Sequence, residues 1–255
     1  MKKEFTLNAR LVGALYHIGM LIKKPYYFEQ SALFWSTNRL FSFYYRIVTV
    51  YNPKIAYSGD KSFLDADLES YIIRHRIILN DIAYAVWQLL ELCGLNVGLS
   101  PKGGVHPKNR ELSFFDLEKK LSTNSDSRLD GMRGVIQRGA TKFSFLKDQR
   151  DNIAHYKASI LVFGDGPDFD FAIMNAAGTM PTVSDGDTTK LVLKNVFRFT
   201  NEQHLFLWEW MNGELTDSIV SLAQANGIPA DPSSFATQLS GGAAIALFKE
   251  INGID

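Results

Sequence analysis

A single cysteine, Cys93, in 255 residues excludes an intramolecular disulfide framework and any zinc site built on cysteines. Signature loops are missing too. No Gly-Lys-Ser/Thr phosphate loop occurs, and no Gly-x-Gly-x-x-Gly follows a candidate strand; Gly241-Gly242 alone is a weak signal. There is no Gly-x-Ser-x-Gly nucleophile elbow and no His-Glu-x-x-His, and the five histidines are scattered, so a histidine-rich metal site is not expected. Most large enzyme families are therefore not indicated. Net charge is lacking as well: 27 Lys+Arg balance 27 Asp+Glu, which argues against a generally basic nucleic-acid coat protein. Long apolar runs are absent. The twelve residues Leu11–Ile22 are too few to span a bilayer, which needs about 20. That run follows Lys2 and Lys3, but Glu4 and Arg10 interrupt its approach, His17 sits within it, and no small-residue cleavage site follows. The expectation is a cytoplasmic protein with no membrane partner.

What is present describes a globular chain. Hydrophobic residues make up 46% and charged residues 21%, which is incompatible with global disorder. The length suits one large domain or two small ones. The neutral sum also hides a gradient. Residues up to Lys157 hold 23 basic and 15 acidic side chains, and those after it hold 4 and 12, giving +8 and −8.

Periodicity predicts helix through most of the first two-thirds. Residues 27–51 contain neither Pro nor Gly, and Phe34, Phe41, Tyr45 and Val48 recur at helical steps. A longer helix is predicted from Ser62 to Cys93, with Leu64, Leu68, Tyr71, His75, Ile78, Ile82, Val86 and Leu89 on one stripe. Gly94 stands at its stop position, and Asp65, Asp67 and Glu69 favour its N-terminus. After the Gly/Pro loop at 96–109, shorter helices are expected over 110–121, 128–138 and from Thr141 through Tyr156. The texture then changes. Ser159–Phe163 and Asp168–Met174 read as a β-hairpin, Asn175–Thr189 as turn-rich, Leu191–Phe199 as a strand, and Asn201–Ala225 as helix; Ala243–Ile251 is a short apolar segment. The expected architecture is mainly α: an up-and-down helical bundle with a small β element at 159–199 inserted before the C-terminal helices, all within one domain over 1–255.

One segment carries chemistry: Arg150-Asp151-Asn152-Ile153-Ala154-His155. On a helix Asp151 and His155 are four residues and about 40° apart, close enough to hydrogen-bond and to fix the imidazole tautomer. Arg150 lies about 140° from His155 around the axis, within reach of a shared phosphate through its long side chain or through a partner's copy. A guanidinium that clamps a phosphate and a histidine that moves protons are what metal-free RNA cleavage needs.

This segment resembles the Arg-x(4–6)-His motif of the HEPN superfamily, in which a polar residue usually follows the arginine. The resemblance implies an all-α bundle of roughly four helices with the motif on a late helix. It also implies a homodimer whose motif helices meet at a shared cleft, RNA or a nucleotide as ligand, and an antitoxin protein as a further partner. Many such proteins are toxin-like, metal-independent endoribonucleases of toxin–antitoxin and phage-defence systems, and others have lost activity. Arg150, Asp151 and His155 would then be catalytic, with no cofactor and no metal. Glu69, Arg74 and Arg76 on an early helix, with Asn152 and Tyr156, would support the cleft. The alternative is a HEPN-like module that binds RNA, a nucleotide or a protein without cleaving. The β element and the length depart from a minimal member.

Competing readings are plain. The Arg-to-His spacing also occurs at Arg10–His17 and Arg198–His204, but an apolar residue follows each of those arginines, and Arg198 is predicted to straddle a strand-to-helix boundary. Residues 128–157 hold seven basic and three acidic side chains, as a phosphate-binding face would require. Against this, Asp151–His155 is also an ordinary helix-surface pair, and Arg150 could bridge to an acidic residue of the C-terminal part. His75, on the apolar stripe, reads as a core histidine, and His106 as a solvated loop residue near Lys102, Lys108 and Arg110. The four tryptophans read as core rather than base-stacking platforms, and Cys93 as a small buried apolar residue.

Overall fold

A computed structural model describes residues 9–21, 30–51, 63–99, 112–145, 158–164, 169–175, 179–180, 182–185 and 188–232. Helix dominates, and a small three-stranded antiparallel sheet precedes the C-terminal helices. Helices α1 (Ala9–Leu21), α2 (Gln30–Thr49), α3 (Leu64–Leu92), α4 (Phe114–Thr123) and α5 (Asp130–Lys142) come first. Strands β1 (Ala158–Phe163), β2 (Asp170–Asn175), β3 (Thr182–Asp185), β4 (Thr188–Leu191) and β5 (Lys194–Asn195) follow. The described chain then continues as α6 (Val196–Trp210), a π turn (Met211–Leu215) and α7 (Thr216–Ala225). Two compact units result: Met1–Asn38, Ile77–Ser144 and Leu207–Asp255 in the first, Arg39–Arg76 and Phe145–Phe206 in the second. Three of their four boundaries fall inside α2, α3 and α6, and the fourth lies between Ser144 and Phe145.

The long helix α3 forms as its stripe predicts. Leu64, Leu68, Tyr71, His75, Ile78, Ile82, Val86 and Leu89 are all buried. Asp65 and Asp67 sit in its first turn, where the helix dipole favours negative charge. Gly94 ends it at φ 68°, a backbone state that costs glycine little, and the Leu95 N–H returns to the Leu90 carbonyl at 2.8 Å. Cys93, just beyond the helix, is half-buried rather than fully enclosed, and burial raises its thiol pKa.

In the first unit, α4 begins at Ser113, whose hydroxyl accepts from the Asp116 N–H. Its apolar side, Phe114, Leu117 and Leu121, is buried, and the α4–α5 corner is fastened by one arginine. Arg133 donates to the carbonyls of Leu121 at 2.9 Å and Asn124 at 2.6 Å and pairs with the Asp130 carboxylate. The half-buried guanidinium thus serves both carbonyls, of which that of Leu121 also accepts the Asn124 N–H at 3.2 Å. Arg133→Ala should therefore cost about 1–3 kcal/mol, since the Asn124 carbonyl loses this donor and the Leu121 carbonyl one of its two. Urea denaturation checks this: the midpoint should fall with an unchanged slope. Trp210, 2% exposed, is the other centre of this unit. Its indole N–H donates to the Val135 carbonyl at 3.1 Å, and its ring meets the edges of Phe114 and Phe143.

In the second unit, β1 and β2 pair antiparallel from Ala158↔Asn175 to Phe163↔Asp170, as the hairpin pattern predicts. β5 joins β2 on its other side, giving the order β1-β2-β5. The edge strand β1 is tied to α3 by a hydrogen bond, the Glu69 carboxylate accepting the Ile160 N–H at 3.0 Å. Two expectations need correction here. Leu191–Phe199 is not one strand, because β5 lasts two residues and α6 starts at Val196. Asn195 accepts the Arg198 N–H at 3.0 Å and so caps the helix, and the buried residues Val196 and Phe199 lie three positions apart, one helical turn. The stretch expected to be turn-rich, Asn175–Thr189, also contains β3 and the start of β4, which pair from Thr182↔Leu191 to Asp185↔Thr188. The last apolar segment, Ala243–Ile251, lies outside the described residues.

Candidate functional site

Arg150, Asp151, Asn152, His155 and Tyr156 lie outside the described residues. The structure does describe both ends of the segment that carries them, and both belong to the second unit. At the entry, Phe145 packs edge-on against Phe199 of α6 at 5.4 Å between ring centroids. Lys194 lies over Phe145, its ammonium 3.4 Å from the ring centre, and burial lowers its pKa below the ordinary lysine value. At the exit, β1 is tied to α3 through Glu69 and Ile160, five residues past His155. Of the expected supporting residues, Glu69 is thus engaged with the backbone just beyond the motif. Arg76 is buried on α3, and Arg74 is half-buried on the same helix. Lys194 is a cation near the motif's entry that sequence reasoning missed, because its position read as the middle of a strand.

The other two Arg–His pairs are accounted for structurally. Arg10 of α1 donates to the Asn212 carbonyl and pairs with Asp217 at 2.8 Å, while His17 accepts the Asp231 N–H at 3.1 Å. Both therefore tie α1 to the C-terminal part of the first unit. Arg198 and His204 do not straddle an element boundary, since both lie within α6. Yet they point to different surroundings. Arg198 is exposed and pairs with Glu202, whereas His204 is 2% exposed and stacks on Tyr44 at 4.1 Å. Arginine and histidine in this pair are not presented to a common ligand.

His204 belongs to a buried cluster of the second unit. Tyr44 of α2, Tyr71 and His75 of α3, and His204 of α6 are all at most 2% exposed. Tyr71 meets the His75 ring edge-on at 4.4 Å and donates to the Thr200 carbonyl at 2.9 Å, while Tyr44 donates to Asn201 at 2.7 Å. Burial lowers the His75 pKa to about 4, and burial together with nearby His75 lowers that of His204 well below the usual histidine value. These are core imidazoles, as the stripe predicts for His75. Beside them Asp67 binds Arg46 at 3.0 Å and the Tyr51 hydroxyl at 2.9 Å. The tryptophans divide: Trp208 and Trp210 are core, Trp87 is half-buried, and Trp35 is 61% exposed, contrary to the core reading.

The charge gradient along the chain does not survive folding. The first unit contains 15 basic and 15 acidic residues and the second 12 and 12, so each is neutral. Arg128, Arg133 and Arg138, three of the seven cations between residues 128 and 157, are each paired with a carboxylate: Asp126, Asp130 and Glu214 respectively. A groove of about 650 Å³ in the first unit is lined by Met132, Val135 and Leu222 together with the paired Arg128 and Arg138. No helix among the described residues is long and apolar enough to cross a membrane. Among the described residues no cluster of three or more His, Cys, Asp and Glu could hold a metal ion. No protein-family model, curated protein or solved structure matches the chain.

Proposed function

We propose that the chain is a HEPN-like, metal-independent endoribonuclease that works with Arg150, Asp151 and His155. The observation that carries this reading is the segment itself: Arg150 and His155 have the Arg-x4-His spacing, and a polar residue, Asp151, follows the arginine. The two rival pairs support it less well, since Arg10–His17 is bound up in helix packing and Arg198–His204 is split between solvent and core. Arg150 would bind the scissile phosphate and offset charge growing on the phosphorane. His155 would take the ribose 2′-hydroxyl proton or protonate the leaving 5′ oxygen, and Asp151 would orient the ring. A homodimer with both motifs at one cleft, acting on RNA and held in check by an antitoxin, is the corresponding assembly.

Digestion of single-stranded RNA in EDTA tests the proposal. Wild type should cleave, and the Arg150→Ala, His155→Ala double variant should not. Equal cleavage by both would remove the motif from the chemistry. Saturable RNA binding without cleavage by wild type would leave a binding module instead.

A further inference from the structure

The second unit places two histidines, from different helices, in one sealed aromatic core. His75 is 0% exposed and His204 2%. Their neighbours come from three helices: Phe41 and Tyr44 of α2, Tyr71 of α3, and Thr200, Asn201 and Gln203 of α6. The His204 ring lies nearly parallel to Tyr44, with 13° between planes. His75 acts on the His204 ring, lowering its pKa further, and the rings in contact with the pair are the neutral tyrosines Tyr44 and Tyr71. The Nδ1 of His75 is 3.2 Å from the Tyr71 carbonyl, a contact that favours a proton there, but burial outweighs it. The cation of Arg76 follows on α3, and Arg46 and Asp67 are paired with each other. In the first unit the described histidine, His17, is only half-buried and sits against the Asp231 N–H.

We propose that the His75–His204 pair makes the second unit an acid-sensitive latch, which opens by separating α2, α3 and α6 locally while the first unit keeps its packing. A neutral imidazole is compatible with the stacked core, and a charged one is not. The sign follows from linkage. Both rings hold their proton less readily when folded than when exposed, so the latch is at full strength above the unfolded value of about 6.5. It weakens as the pH falls from there toward about 4, where His75 titrates in the folded chain. At pH 5 the His75 ring alone should shift the opening equilibrium about 30-fold, and His204 should add to that in the same direction. Phe145 and Ile160 belong to the same unit, so the two ends of the 146–157 segment should loosen together with it.

Hydrogen exchange of the full chain at pH 7.5 and pH 5, corrected for intrinsic exchange rates, reads this directly. Amides of β1, of α6 up to Phe206 and of the N-terminal part of α3 should lose at least 10-fold protection. Amides of α4, α5 and α7 should change less than 3-fold. His204→Phe, which keeps the stack on Tyr44, should roughly halve the logarithm of that loss. Loss spread evenly over both units, or unchanged in His204→Phe, would overturn the proposal. Should that variant fail to fold, imidazole NMR of the wild type decides instead: both rings neutral at pH 5.5 supports the latch, and either ring charged in the folded protein overturns it. Neither readout depends on RNA cleavage.

Discussion

Trp210→Ala lowers stability by about 3–5 kcal/mol, the range for truncating a fully buried large aromatic side chain. Three features put it in that range. The ring is sealed in the first unit at 2% exposure, its N–H is bonded to the Val135 carbonyl, and Phe114 and Phe143 pack edge-on against it. The helix α5 approaches so closely that Gly139 lies directly on the indole. A methyl group there would come within 2.7 Å of Trp210 Cζ2. Gly139→Ala should consequently destabilise on its own, by about 1–3 kcal/mol of overpacking. The double variant is the informative one. With the indole removed, the methyl group added at position 139 enters the vacated space, so the two losses should add to less than their sum by at least about 1 kcal/mol. Urea denaturation of the four proteins completes the cycle, and strict additivity would show that the ring does not rest on Gly139.

If the chain is the nuclease proposed above, His155→Ala should reduce metal-free RNA cleavage by about 10²–10⁴-fold, the usual contribution of a positioned acid or base. Arg150→Ala should cost about 10²–10³-fold, comparable to removing one donor to an oxyanion in other sites. The two losses should not multiply. Groups that act on one transition state fail together, so the double variant should be close to the poorer single one. Arg198→Ala and His17→Ala supply the contrast. Each removes one member of a rival pair with suitable spacing, and each should leave the rate within about 2-fold, consistent with surface or packing roles. A larger loss in either would move the active pair elsewhere in the chain.

Helices with a long apolar stripe were legible without coordinates. The prediction for Ser62–Cys93 differs from α3 by two residues at its start and one at its end, because eight stripe positions and Gly94 all agree. The β-hairpin at 159–174 was legible for the same reason: apolar runs on both sides of a Gly/Pro turn. Legibility failed where local and tertiary signals diverge. Residues 196–199 are Val-Phe-Arg-Phe, a strand composition, yet the Asn195 cap and burial of Val196 and Phe199 on one helical face win. The strands β3 and β4 carry Thr, Ser and Asp in place of alternating apolar residues, so period-two reasoning could not find them. The π turn keeps buried Met211 and Leu215 four apart, as an α-helix would, so residue spacing does not reveal it; the Thr216 hydroxyl donates to the Met211 carbonyl at 2.6 Å.

The candidate site was less legible than the fold. A charge gradient read along the chain pointed to a basic region, but charges distant in sequence meet in space. Arg10 pairs with Asp217 and Arg138 with Glu214, and both units end neutral. Pattern spacing alone also left three Arg–His pairs in competition. The structure adds the burial and partners of the two rival pairs, which spacing does not encode: Arg10 and His17 serve helix packing, and His204 has a polar name and a core position.

The most direct test of the nuclease account is the chemistry of the cut ends. A defined RNA oligonucleotide is digested in EDTA, and the fragments are analysed by mass spectrometry. Attack by the ribose 2′-hydroxyl, assisted by His155 and clamped by Arg150, must leave a 2′,3′-cyclic phosphate on one fragment and a 5′-hydroxyl on the other. Fragments with a 3′-hydroxyl and a 5′-phosphate, or the same cyclic ends produced equally by the Arg150→Ala, His155→Ala variant, would contradict it.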